Sequence, residues 1–364
     1  MVILMWIRNK AGIYVPMEKF ILHGDGLFLP MSELDRYKML WDRKYECIAH
    51  YNFAKLERPL YIKDRSSCCR FCGGDKPKKY FKKTAHALSE LIGNKILILK
   101  NECDECNEFF GKNLEDDFAK FLDPGRTFFR IVGKNGIPTF KDMKGTIRAD
   151  QSKHGLVVQT VENNDNVSVC DKQVNFNLHK NTYTPIGAYK ALVLMGISIM
   201  PEDELKNFQS TIDWIMEKSH TESKYDMSEY ASHVICHFFL KPRAIRACLV
   251  RRKEGVHDVP YCQFVLLFNN YYFQIMIPCR EKDGVYNGDN SNRLVSPAIY
   301  EEAFSKNLKF EELDLSEKNK VKNEKFKIPM AFKVIKELTS LEGCPVEEIM
   351  KVLDVKPLKK SRER

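Results

Sequence analysis

Cys69-Arg-Phe-Cys72 and Cys103-Asp-Glu-Cys-Asn107 are the stretches whose reading decides the fold, and His86 stands between them. Two thiolates three residues apart converge on one tetrahedral Zn²⁺, and a second such pair completes a closed structural site. The thirty residues between the pairs, 73–102, exceed what a compact zinc ribbon needs, so this gap must hold a hairpin and loop of its own. Cys68 is a spare, since the two-residue spacing selects Cys69 as the ligand. Four thiolates leave no coordination position for water. Chemistry must therefore come from what lies between and just after the pairs.

Of the twelve cysteines, five fall between Cys68 and Cys106 while seven are scattered singly, as buried small hydrophobes are. A reducing cytosol does not favour structural disulfides, so the clustering points to metal. With 364 residues, 44% hydrophobic and 29% charged, the chain has globular composition and room for two domains. Its net charge of +9 favours a polyanionic partner through counterion release. The apolar start, Met1-Val-Ile-Leu-Met-Trp-Ile7, is too short for a signal-peptide core, and no apolar run approaches the roughly 20 residues that cross a bilayer. The expectation is a soluble, cytoplasmic protein with no membrane partner.

Outward from the cysteines, the fold class reads as α+β: a zinc-stapled module over 61–140, preceded by a 1–60 segment of unknown role and followed by a mixed α+β domain over 150–364. Strand patterns fall near Ile3–Ile7 and Phe20–Leu29, and a helical one over Met31–Trp41. Alternation predicts strands over Leu156–Val161 and Val167–Phe176. Pro185 opens a helix through Met200, and Pro201 begins another with acids in its first turn. Further strands are predicted over Val234–Leu240, Arg246–Arg251, Tyr261–Phe268 and Tyr271–Pro278, the last two joined by a tight turn at Asn269-Asn270. The charged stretch Lys306–Lys327 reads as solvated, and Lys356–Arg364 as a basic tail.

Between the pairs runs Phe81-Lys-Lys-Thr-Ala-His-Ala-Leu-Ser-Glu-Leu-Ile-Gly-Asn-Lys95, and the second pair continues as Asn107-Glu-Phe-Phe-Gly-Lys-Asn-Leu-Glu115. The order Cys-x-x-Cys, a strand ending in His, a Gly-Asn loop, then Cys-x-x-Cys-Asn opening a helix resembles the HNH endonuclease family, in its branch with two zinc knuckles. The resemblance covers about fifty residues and implies a ββα-metal fold. It implies that His86 is the general base, that Asn94 orients the His or shapes the hairpin, and that Asn107 ligates a catalytic divalent metal, normally Mg²⁺. Cys69, Cys72, Cys103 and Cys106 hold the separate structural Zn²⁺. Imidazole titrates near neutrality, and oxygen ligands suit Mg²⁺ where thiolates do not. Many such enzymes carry an acid immediately before the catalytic His; here that residue is Ala85. Glu90, Asp104, Glu105 and Glu115 are the nearby acids that would compensate, and Asn101 is an alternative to Asn94.

Lys79, Lys82, Lys83 and Lys95 lie around the His strand and are candidates for phosphate contact, with Arg65 and Arg70 just before them. In the second half, His233, Cys236 and His237 sit on an apolar strand pattern and read as structural. Arg243, Arg246, Arg251, Arg252 and Lys253 form a basic cluster, and Phe264, Phe268, Tyr271, Tyr272 and Phe273 read as hairpin core. The resemblance implies a metal-dependent endonuclease acting on double-stranded DNA, with a homodimer suited to cutting both strands. Similar proteins are tied to restriction or phage defence. Two readings stay open beside it: an RNA-cleaving HNH nuclease, and a zinc-knuckle protein that binds nucleic acid without cutting it.

Overall fold

The computed structural model describes residues 3–8, 12–20, 27–28, 43–55, 58–75, 78–152, 155–161, 164–170, 173–257, 259–283, 309–332 and 336–337. Helices and strands are mixed along this chain, and the fold class is α+β. The helix expected over Met31–Trp41 and the basic tail Lys356–Arg364 lie outside the described residues. Contacts divide the chain into two compact units: Met1–His23, Lys120–Thr182 and Val321–Arg364 in one, Gly24–Ala119 and Tyr183–Lys320 in the other. These units are interleaved, in contrast to the consecutive segments 1–60, 61–140 and 150–364 expected above. Strand pairing is the reason. Tyr45–Asn52 pairs antiparallel with Val234–Arg252, and Gln173–His179 with Lys325–Phe332.

In the first unit a sheet runs in the order Ile3–Arg8, Gly12–Phe20, Lys325–Phe332, Gln173–His179, Val167–Cys170, with Lys336–Glu337 also pairing Gly12–Phe20. A second sheet joins Gly155–Thr160, Ile147–Ser152 and Phe140–Lys141. The alternation over Val167–Phe176 belongs to two strands, because Val167 pairs with Phe176 across a hairpin. The period of two survives a hairpin unchanged, so the pattern alone does not register the reversal. The stretch Lys306–Lys327, expected to be solvated, is so only in part: Lys325 and Lys327 are exposed, but Lys309–Leu313 forms a strand and Leu315 is buried.

The second unit is built on two long strands, Val234–Arg252 and Cys262–Ile277. The turn expected at Asn269-Asn270 is absent; Cys262–Ile277 runs through it and the partner strand bulges instead. Phe238 pairs with Tyr271, Arg243 with Asn269 and Arg246 with Leu267, with register shifts between them. Asn269 has φ of 48°. The tolerance of Asn for positive φ, which suggested a turn, serves the irregular backbone opposite the bulge. Pro242, which cannot donate to a ladder, falls inside the bulged stretch. On its other edge the bulged strand changes partner, pairing with Lys309–Leu313 before the bulge and Tyr45–Asn52 after it.

Against these strands packs the helix Pro185–Ser198, all of whose residues are buried. Burial includes Lys190, whose ammonium donates to Trp214 O at 2.8 Å and is pushed down to about 8 by desolvation. A helix buried at both ends needs partners for its terminal N–H and C=O groups. At the N-terminus, Thr184 N donates to Asp117 Oδ1 at 2.9 Å, which also sets an acid against the positive end of the dipole. Gly187 makes that approach possible, since a Cβ there would overlap the Asp117 carboxylate and stand 3.1 Å from its Cβ. Gly187→Ala is therefore expected to destabilise by about 1–3 kcal/mol through overpacking, against a gain of about 1 kcal/mol in helix propensity. Urea unfolding checks it. In an Asp117→Ala background the same change should become neutral or stabilising, and a cost unchanged there would exclude the carboxylate as the obstacle.

Candidate active site

The four cysteines converge as their spacing predicts. Their Sγ atoms all lie within 4.8 Å of one another, and Cys69–Cys106 and Cys72–Cys103 are each 3.8 Å apart. Tetrahedral Zn–S bonds of about 2.3 Å place sulfurs about 3.8 Å from each other, so the cluster fits a metal such as zinc. Cys68 stands outside it. Gly73, at φ of 66°, closes the first knuckle by donating to Cys69 O at 2.9 Å. Cys103 N donates to Cys69 Sγ at 3.4 Å. Sharing a hydrogen with Cys106, with backbone N–H bonds added, brings the Cys69 thiol down to about 4. Burial pushes Cys103 up to about 11, and Cys106 rises against the Cys69 thiolate. Four crowded sulfurs thus share protons unequally unless a cation compensates them.

Arg70, inside the first knuckle, is not the surface base its sequence neighbours suggested. Its side chain is 1% exposed and forms a two-pronged ion pair with Asp64, with Nε at 3.0 Å from Oδ2. One terminal nitrogen donates to Ile197 O, Ser198 O and Met200 O at 2.9, 2.8 and 3.0 Å. These are carbonyls at the C-terminal end of the helix Pro185–Ser198, where a cation complements the dipole. Asn101 fastens the same loop: Oδ1 accepts from Asp64 N at 2.8 Å, and Nδ2 donates to Ser66 O and Cys68 O. With its side chain used in this way, Asn101 is structural.

The expected hairpin is present. Ala85–His86 pairs antiparallel with Leu97–Leu99, which also pairs in parallel with Leu60–Ile62. Asn94 is fully buried in the loop that joins the first two. Its Nδ2 donates to Leu88 O and Leu97 O at 2.6 and 3.0 Å, and its Oδ1 accepts from Ile96 N and Leu97 N at 3.0 and 2.9 Å. All four hydrogen-bonding positions of the amide face backbone. Asn94 shapes the hairpin and, through it, the place of His86. Ser89 caps the short turn Glu90–Ile92, which Gly93 ends at φ of 97°. This turn brings a Glu90 carboxylate oxygen to 3.7 Å from His86 Nδ1, with both side chains largely buried.

The helix after the second knuckle starts at Asp104 and continues through a wider π turn, Gly111–Glu115, into Asp116–Leu122. Such turns recur at functional sites because they re-aim side chains. Asn107, Gly111 and Glu115 follow one another at intervals of four, and a Cβ on Gly111 would lie 3.9 Å from Glu115 Oε2. The Glu115 carboxylate is raised by burial, lowered by a hydrogen bond with Ser89 and raised again by Glu90. Strand, turn and helix therefore gather His86, Glu90 and Glu115. Asn107 is half-buried and forms no side-chain hydrogen bond among the described residues. Asp104 serves the frame instead, accepting from Lys82 N and Lys83 N at 3.2 and 2.8 Å, and Glu105 is exposed. Glu102, which sequence reasoning passed over, is pushed well above the usual carboxylate range by burial, with Glu115 and Cys69 adding repulsion.

The expected basic surface is partly neutralised. Lys83 Nζ pairs with Glu108 at 3.0 Å, and this pair with Lys112 holds Glu108 down to about 2. Lys82 and Lys95 are exposed, and the side chain of Lys79 lies outside the described residues. Arg251 is taken by Glu46 and Glu204, and Arg252 donates to Val259 O and Lys282 O, which removes much of the distal cluster from phosphate contact. His233 pairs with Glu312, and the four cysteines are the one set of three or more His, Cys, Asp or Glu side chains among the described residues whose ligand atoms cluster closely enough to hold a metal ion. No helix among them is long and apolar enough to cross a membrane.

A hairpin bearing His86, two cysteine knuckles and a helix that runs on through Asn107 thus lie within one short segment. Residues 69–123 match the family model of HNH endonucleases. No curated protein and no solved structure matches the chain.

Metal analysis of purified protein should find about one tightly held zinc per chain, and none would undo the four-cysteine frame. Arg70→Ala is expected to cost about 3–5 kcal/mol in urea unfolding, because Asp64 is left buried without its counter-charge. Arg70→Lys should recover little of it, since an ammonium lacks the planar fork.

Proposed function

We propose that this protein is a metal-dependent HNH endonuclease that hydrolyses DNA phosphodiester bonds with His86 as general base. The observation that carries the reading is the convergence of His86, Glu90 and Glu115 within a segment that matches HNH endonucleases. Glu90, beside Nδ1, orients the imidazole so that Nε2 takes the proton of the attacking water. Asn94 positions His86 through the hairpin and touches no substrate. The acid missing at Ala85 has substitutes in space: Glu90 and Glu115, joined by the Asn107 amide, are the oxygen donors that would hold a divalent cation. They fit Mg²⁺, because oxygen ligands suit a hard ion and the buried Glu115 carboxyl stands close to the charge of Glu90. When bound, the cation stabilises charge developing on the phosphate oxygens. Exposed Lys82 and Lys95, with Lys79, supply phosphate contacts. Double-stranded DNA cut by two copies of the chain, in restriction or phage defence, is the setting that suits such an enzyme.

Plasmid DNA and RNA incubated with wild-type and His86→Ala protein, with and without Mg²⁺, test the reading. Wild type should cut DNA only with the metal, and His86→Ala should lower the rate by about 10²–10⁴-fold. Glu115→Gln should raise the Mg²⁺ concentration needed for half-maximal cleavage. Cleavage that survives loss of His86 sinks the assignment of the base. Binding without cleavage by wild type would favour a docking role, and preferential RNA cleavage an RNA nuclease.

A further inference from the structure

Beside His86 the three-stranded sheet carries a side chain outside the family match. The registers Tyr61↔Ile98 and His86↔Ile98 put Tyr61, Ile98 and His86 in one cross-strand row. Directly paired residues share a face of a sheet. The opposite face is core: Leu97 is 0% exposed, and Leu99 and Ala85 are each 2%. On the face that holds His86, His86 and Ile98 are half-buried and Tyr61 at the far end of the row is 52% exposed. Two strand spacings separate the Tyr61 and His86 backbones, about 10 Å. Lys100, two residues beyond Ile98, brings its ammonium to 4.4 Å from the Tyr61 ring centroid, and Lys63, two beyond Tyr61, is also exposed. An exposed aromatic ring flanked by lysines, in line with a candidate base, is what a nucleic-acid strand needs: a π face for a base and cations for the adjoining phosphates.

We infer that Tyr61 is a stacking platform for an unpaired base of the strand being cut, with Lys100 and Lys63 holding the phosphates beside it. This rests on the nuclease reading above and adds the means by which the strand is led toward His86. The edge strand Leu60–Ile62, which among the described residues pairs on one side only, keeps the ring accessible. Lys100 occupies one side of the ring, and a base takes the other while the ammonium moves onto phosphate. Stacking makes no hydrogen-bond demand on the base, so the platform accepts any sequence and either sugar.

The test measures binding of a short fluorescein-labelled single-stranded DNA, and its RNA counterpart, to the full chain without added divalent cation. Tyr61→Ala should weaken binding by about 5- to 100-fold with zinc content unchanged, and Tyr61→Trp should restore it. Lys100→Ala should reduce the slope of log affinity against log salt by about 0.7, whereas Tyr61→Ala leaves that slope alone. In cleavage of the same strand with Mg²⁺, Tyr61→Ala should raise KM and change kcat little. Wild-type affinity in Tyr61→Ala overturns the platform while leaving the nuclease reading intact. A Trp variant as weak as the Ala variant also overturns it, since the ring would then matter for local packing. No binding of the single strand by wild type also overturns the platform, whereas the nuclease reading falls only if plasmid DNA and RNA go uncut with Mg²⁺.

Discussion

The Arg70 guanidinium is the interaction on which the second unit depends. It sits between two cysteines of the four-sulfur cluster, forms a buried ion pair with Asp64, and donates to three carbonyls at the end of the helix Pro185–Ser198. An unpaired arginine would be costly at this depth, so its partners must all be in place together. At the other end of the same helix stands Asp117, on the helix that follows the second knuckle. The nuclease-like segment thus supplies a cation to the negative end of a buried dipole and an anion to its positive end. The buried helix and the four-cysteine segment are consequently tied together at both ends of the helix, although 127 residues separate Arg70 from Ile197 in the chain.

That arrangement fixes where the chemistry can occur. The zinc frame sets the start of the helix at Asp104, and the Phe71 and Phe110 rings, 4.7 Å apart edge to face, hold the knuckle against it. Asn94 fixes the loop between the two hairpin strands with four backbone hydrogen bonds, so the His86 strand has one register against Leu97–Leu99. The π turn then re-aims the helix so that Glu115 meets Ser89 and Glu90. Precision in a site built from a two-residue strand and short turns comes from such satisfied polar contacts, because little apolar area is available to supply it.

What was legible in the sequence follows the range of each signal. Cysteine spacing is local and chemically specific, so it separates Cys69 from Cys68 and points to the four-sulfur cluster. The helix from Pro185 was readable from its proline start and its apolar run. Failures came where one local pattern serves two structures. Asn269 has a positive φ in a bulged pair of strands as readily as in a hairpin turn, and Val167–Phe176 alternates whether straight or folded on itself. Arg70 was misjudged for a different reason. Nothing near it in sequence announces Asp64 as a buried partner or the carbonyls of a distant helix, and an arginine among lysines reads as surface. The interleaving of the units was invisible for the same reason, since it depends on pairings such as Arg246 with Asn52.

The loss of an acid before the catalytic-type histidine bears on how such sites distribute charge. Ala85 pairs with Leu99 and points into the core, at 2% exposure, where an ionised side chain would be buried among apolar groups. A carboxylate there would carry a desolvation cost that only a tightly held cation offsets. In this chain the negative charge has moved off the strand, to the turn that bears Glu90 and to the helix face that bears Glu115. Both are nearer to solvent than Ala85, yet burial still raises the Glu115 carboxyl and Glu90 raises it further. A buried carboxyl raised in this way is a poor arrangement for stability alone. On the function proposed above, a cation held beside Glu115 and Glu90 would offset that cost, and its binding would be tied to the protonation of Glu115.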